Sequence, residues 1–99
     1  MDGVAVAKEP WAEAVTRLYE KRRDFDREGV GPFSKFEART AIAAELFARE
    51  GVDYGVFEVG LGGRFDATNS MDADLAVLTT IDIDHAEVLG HTLGEIVLE

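Results

Sequence analysis

Apolar residues recur at helical spacing in the first half of the chain and as continuous runs in the second. Trp11, Ala14, Val15, Leu18 and Tyr19 fall on one helical face. Pro10 suits the first turn of that helix, where its missing N–H costs nothing. Lys21, Arg22, Arg23, Asp24, Asp26, Arg27 and Glu28 make the helix end strongly charged. The mixed signs mark a solvated end rather than a binding patch. Gly29-Val30-Gly31-Pro32 is a break. Ser34-Lys35-Phe36-Glu37 then reads as a capping box, in which serine and glutamate each satisfy a backbone N–H of the other. Residues 37–50 are rich in Ala, with Ile42, Leu46 and Phe47. They predict a second helix whose small side chains allow close packing against a sheet. Gly51 supplies a left-handed stop.

Residues 52–59 read as a strand, and the run Val56, Phe57, Val59 predicts burial on both faces. Residues 60–73 read as irregular. Leu75-Ala76-Val77-Leu78-Thr79-Thr80-Ile81 predicts a second buried strand. The gap between the two is too long for a tight hairpin and permits a parallel crossover. Thr92-Leu93-Gly94-Glu95 is another capping box, so a helix starts near Leu93. No stop signal follows, and the chain is expected to be cut inside that helix. The order helix, helix, strand, strand, helix predicts an α/β fold. Two strands are too few for an independent parallel sheet, so the expectation is part of a larger domain.

Composition narrows the function classes. Ninety-nine residues allow one small domain. Lys plus Arg is 10 against 20 Asp plus Glu, a formal net charge of -10. That balance disfavours wrapping nucleic acid or an anionic membrane. No cysteine is present, which excludes disulfides and thiolate metal sites. No apolar stretch approaches a bilayer span, and the N-terminus lacks a signal-peptide layout. The expectation is a soluble cytoplasmic protein.

The candidate chemistry lies where the apolar runs end. Ligands of open parallel sheets sit outside the carboxyl ends of the strands. Glu58 lies near that end of the first predicted strand; Asp82, Asp84 and His85 lie just beyond the second. A carboxylate and an imidazole there could hold a divalent cation, magnesium with oxygen ligands or, with one His, manganese. Other readings stand beside this one. Glu58 could pair with Arg64 at a strand end, and Asp84 could N-cap the turn Ala86-Glu87-Val88-Leu89. Gly60-Leu61-Gly62-Gly63 suggests a dinucleotide fingerprint, but the misplaced third glycine and the lack of an immediate helix pattern weigh against it. Phe65 could be core or a stacking platform for a flat ring.

Two motifs carry a resemblance. Glu58-Val59-Gly60-Leu61-Gly62-Gly63-Arg64-Phe65-Asp66-Ala67-Thr68-Asn69 is followed by Ile81-Asp82-Ile83-Asp84-His85-Ala86-Glu87-Val88-Leu89-Gly90 and Thr92-Leu93-Gly94-Glu95-Ile96. Together they closely resemble folylpolyglutamate synthase/dihydrofolate synthase, a family of the Mur ligase superfamily. The Ser34-Lys35-Phe36-Glu37 helix start resembles that family's Thr-aromatic-Phe-Glu segment.

The resemblance implies that residues 1–99 are part of a Mur-ligase central ATPase domain, a fragment of a parallel-sheet P-loop-type fold. It implies ATP-dependent ligation through an acyl phosphate, with the amine of L-glutamate attacking and dihydropteroate or folate as acceptor. It makes Glu58 and His85 ligands of Mg2+, with Mn2+ possible. It places Ser34, Lys35, Phe36, Glu37, Phe65, Asp66 and Ala67 at the pterin site. The family's phosphate loop would lie upstream of Met1, its carbamylated lysine just after Glu99, and its C-terminal glutamate-binding domain is missing. The isolated chain is therefore expected to be inactive without the remainder of its domain. Lys35 replaces a usual aromatic, and Asp82 a usually small residue beside the metal. Two alternatives remain: another Mur-type ligase, or a small non-catalytic protein binding a metal or a partner.

Overall fold

A computed structural model describes residues 1–29 and 31–99. Val30, within the predicted break, lies outside the described residues. The chain divides into two compact units, Met1–Val56 and Phe57–Glu99.

The first unit is a helix pair. Helix α1 spans Lys8–Arg27 and α2 spans Lys35–Glu50. Pro10 sits in the first turn of α1, among positions whose N–H groups have no intrahelical partner. No side chain caps that end; Ala7 precedes it in extended backbone. The predicted face of α1 is divided. Ala14 is fully buried, and Val15 and Leu18 pack beside it. Trp11 and Tyr19 remain exposed, at 40% and 63%. Ile42 and Leu46 of α2 complete the core with Ala14.

Helix α2 therefore packs on another helix, where the alanine pattern predicted a sheet. The physical reason is that small side chains permit a close neighbour without specifying its kind. Ala14 is equally small, so the two helices can approach closely. An ionic seam runs alongside. Arg17 donates to Glu45 across the pair, and Arg49 lies 3.5 Å from Glu13. These side chains are 32% or more exposed, so each pair contributes about 0–1 kcal/mol.

Both ends of α2 form as predicted. The Ser34 hydroxyl accepts from the Glu37 N–H at 3.1 Å, and the Glu37 carboxylate accepts from the Ser34 N–H. The backbone and side-chain bonds from Ser34 hold the Glu37 carboxyl below its ordinary value. Gly51 closes the helix at φ 63°, ψ 42°.

Neither predicted strand, 52–59 across the boundary of the units or 75–81 in the second, is paired into a ladder among the described residues. The apolar side chains meant for burial are in solvent: Leu75 at 79%, Val77 at 74% and Leu78 at 86%. A parallel strand needs a paired neighbour and cover on both faces, and the second unit supplies neither to these residues. Its regular structure is a single 3-10 turn at Ala67–Ser70 and two one-turn helices, α3 at Ala86–Leu89 and α4 at Leu93–Ile96. The Thr92/Glu95 capping box forms, but α4 gives way to a turn at Val97 and Leu98 instead of continuing to Glu99.

Truncating Leu46 to alanine is expected to destabilise the helix pair by about 2–4 kcal/mol, through lost burial plus a cavity. Tyr54→Ala, at a residue 91% exposed, should change stability by no more than about 0.5 kcal/mol. Urea titration followed by far-UV circular dichroism reads both; equal effects would contradict the core assignment.

Candidate functional site

The glycine-rich segment is organised around one carboxylate. Asp66 Oδ2 accepts from the backbone N–H groups of Gly60 and Leu61, at 3.1 and 3.0 Å. Asp66 Oδ1 accepts from the Thr68 N–H at 2.9 Å and from its hydroxyl at 2.6 Å. Both oxygens are thus committed to the chain itself. Asp66 also N-caps the 3-10 turn. Asn69 Nδ2 donates to the Arg64 carbonyl at 3.0 Å, and the Ser70 hydroxyl to the Ala67 carbonyl at 2.7 Å. Partial burial pushes the Asp66 carboxyl up, but its hydrogen bonds to Thr68, Leu61 and Gly60 outweigh that and leave it below the ordinary 3.8.

The other predicted pterin residues are placed as follows. Ser34, Lys35, Phe36 and Glu37 belong to the first unit, and Phe65, Asp66 and Ala67 to the second. Ser34 and Glu37 are engaged in the α2 cap. Phe33 and Lys35 line a hollow of about 210 Å³ with Val15, Leu18, Tyr19 and Ile42. Phe65 is 83% exposed, so it is no core residue. The Arg64 guanidinium lies 5.3 Å from the centre of its ring.

Glu58 and His85 both lie in the second unit and both are exposed. His85, not Asp84, is the N-cap residue of α3, with left-handed backbone at φ 48°, ψ 40°. The Asp84 carboxylate instead accepts from the His85 N–H at 2.8 Å. A non-glycine residue in this conformation is uncommon, although His adopts it more readily than most. The His85 ring lies between two acids. Nε2 is 3.9 Å from Asp84 and Nδ1 is 3.9 Å from Glu87, too far for either nitrogen to be committed to a hydrogen bond. Among the described residues no group of three or more His, Asp and Glu side chains is arranged to hold a metal ion.

Two close approaches went unread in the sequence. Gly62, at φ 63°, passes so near Leu89 that a Cβ would stand 2.9 Å from Leu89 Cδ2. Gly90, at φ 116°, leaves room for the Glu95 side chain, which a Cβ there would meet at 2.5 Å. The glycines were visible; their partners, 27 and 5 positions further on, have no local signal.

Neither a family model nor a solved structure matches the chain. Curated sequences do. A dihydrofolate synthase/folylpolyglutamate synthase of Bacillus subtilis is 38% identical over 97 residues, 97% of this chain and 23% of the relative. The Mycobacterium tuberculosis protein of the same description is 52% identical over 67 residues, covering 67% of this chain and 14% of that one. The chain is related to the dihydrofolate synthase/folylpolyglutamate synthases. A folylpolyglutamate synthase of Arabidopsis thaliana extends the relation to plants, at 34% identity over 97 residues, 97% of this chain and 17% of the relative. The chain spans less than a quarter of the length of these synthases. No helix among the described residues is long and apolar enough to cross a membrane.

Because the folded Asp66 carboxyl titrates below 3.8, its bonds are fully present above that value and are lost as pH falls through the lower folded pKa. The amide resonances of Gly60, Leu61 and Thr68 should therefore shift together with an inflection below pH 3.8. An inflection at or above the ordinary value would contradict the clamp.

Proposed function

We propose that this chain is a segment of the ATPase domain of a ligase that forms carbon–nitrogen bonds, adding L-glutamate to dihydropteroate or a folate. The reaction class follows from the synthases it is related to. The observation that carries it is 38% identity over 97 of 99 residues, a stretch that must include the Glu58–Asn69 motif and His85. The substrates on this reading are ATP, L-glutamate and a pteroate or folate. ATP first converts the acceptor carboxylate to an acyl phosphate; the glutamate amine then displaces phosphate. In the longer protein, residues 52–59 and 75–81 become strands of a parallel sheet, which accounts for apolar side chains that lie in solvent here.

The donors suit a divalent cation. Glu58 offers a carboxylate, and His85 an imidazole with neither nitrogen within hydrogen-bond distance of Asp84 or Glu87. Glu58 and His85 would hold Mg2+, or Mn2+, with water and phosphate oxygens filling the remaining positions. Bound there, the ion supplies charge neutralisation during phosphoryl transfer. Phe65 supplies an exposed aromatic face for the flat pterin ring, backed by Arg64. Asp66 serves the ring through the loop it holds, since both its oxygens are already bonded. Ser34 and Glu37 fix the start of α2, beside which Lys35 and Phe36 stand.

Phosphate release by the longer protein containing this chain tests the reading, with dihydropteroate or folate as acceptor. Release should require glutamate, and Glu58→Gln and His85→Ala should each lower it by about 10–100-fold at limiting Mg2+. Absence of glutamate-dependent release, or full activity in both variants, would sink it. The 99-residue chain alone should release none.

A further inference from the structure

One stripe of α2 breaks its own pattern. Positions 35, 38, 39 and 42 recur at the spacing of a core-facing row. Ala38 and Ile42 keep to that row, but Lys35 and Arg39 put two cations in it. All four line the hollow of about 210 Å³, whose remaining walls are Val15, Leu18, Tyr19 and Phe33. The hollow belongs wholly to the first unit.

The two charges work against the helix that carries them. Like charges four residues apart destabilise a helix. Lys35 is also the first residue of α2, at the end where the helix dipole favours anions. Among the described residues neither cation makes an ion pair, although acids outnumber bases 20 to 10. Arg17, Arg22, Arg27 and Arg49 all have carboxylate partners. Glu37, two residues on from Lys35, is committed to the Ser34 N–H. Departures of this kind from local preference are expected at functional sites.

We propose that the hollow binds a small aromatic carboxylate, with the ring against Leu18, Tyr19, Phe33 and Ile42 and the carboxylate at Lys35 and Arg39. Its volume is below the roughly 300–1,000 Å³ of clefts for drug-sized ligands, which limits the body to one or two rings. Tyr19 and Phe33 supply rings for an aromatic neighbour. The Arg22 guanidinium, 5.0 Å from the centre of the Phe33 ring, braces that wall. A carboxylate between Lys35 and Arg39 relieves their mutual repulsion. Lys35 stands where the resemblance implies an aromatic, so the charge that selects an anion is this chain's own. The site goes beyond the ligase reading and does not depend on it, and its test needs neither metal nor turnover.

Titration of the purified protein with naphthoate, followed by amide nuclear magnetic resonance, tests this. Saturable shifts in the sub-millimolar range are expected at Leu18, Lys35, Ala38 and Arg39. The neutral isostere naphthylmethanol should bind about tenfold more weakly. Lys35→Gln and Arg39→Gln should each weaken naphthoate binding about two- to fivefold, the scale of one exposed charge pair. The double variant should be at least as stable as the parent, whereas loss of a purely structural pair would lower stability. Ala38→Leu fills the hollow with another strong helix former and should abolish binding. Far-UV circular dichroism accompanies each variant; should Ala38→Leu unfold, the charge variants and the isostere decide. Absence of saturation, equal affinity for the two probes, shifts centred elsewhere, undiminished binding in both charge variants, or a less stable double variant overturns the proposal. The same titration of the longer protein containing this chain is the last arm. If that protein does not bind naphthoate, its own chain covers the hollow and the small-molecule site is overturned.

Discussion

The backbone N–H groups of Gly60 and Leu61 find their acceptor in a side chain, the carboxylate of Asp66. A sharp glycine turn cannot use the regular ladders of helix or sheet, so its donors need another partner. The same solution recurs at Glu37, which accepts from Ser34, and at Glu95, which accepts from His91 and Thr92. Three acids of this chain thus hold backbone at the places where regular structure starts or fails. All three carboxyls are held below their ordinary values by these bonds. Part of the net charge of -10 is therefore architectural rather than a simple coat of solvated charge.

Local chemistry was legible in the sequence wherever the decisive atoms lie within a few residues. Both capping boxes and the Gly51 stop depend on hydrogen bonds across three to five residues, and side-chain type announces them. The sheet was not legible in this way. Its strands take their meaning from neighbours, and the second unit leaves Leu75, Val77 and Leu78 in solvent. Whether a small-residue helix packs on a sheet or on another helix is equally non-local, which is why α2 meets α1 instead. His85 shows a subtler limit. Asp84 has the better capping side chain, but it turned to the His85 N–H, leaving His85 as the N-cap in left-handed backbone.

The site residues divide in the same manner. Glu58 stood out by type and position, His85 and Phe65 through the resemblance, and all three are exposed. Asp66 was picked out too; its bonds make it the frame on which neighbouring residues are mounted. The Asp-x-Thr spacing was the available signal, since aspartate commonly bonds the backbone two residues on. Gly62 and Leu89 carried no such signal, because what matters there is the absence of an atom facing a methyl group from far along the chain.

The boundary near Val56 also sorts the chromophores. The chain has one tryptophan and two tyrosines, and Trp11, Tyr19 and Tyr54 all fall within Met1–Val56. Ultraviolet absorbance at the tyrosine and tryptophan bands, and intrinsic fluorescence, therefore watch the first unit alone. The half that bears Glu58, Asp66 and His85 contributes phenylalanine only and is dark to those methods. A fluorescence melt of this protein would describe one unit while saying nothing about the glycine turn. A tryptophan placed at the already exposed Phe65 would give that silent half its own optical voice.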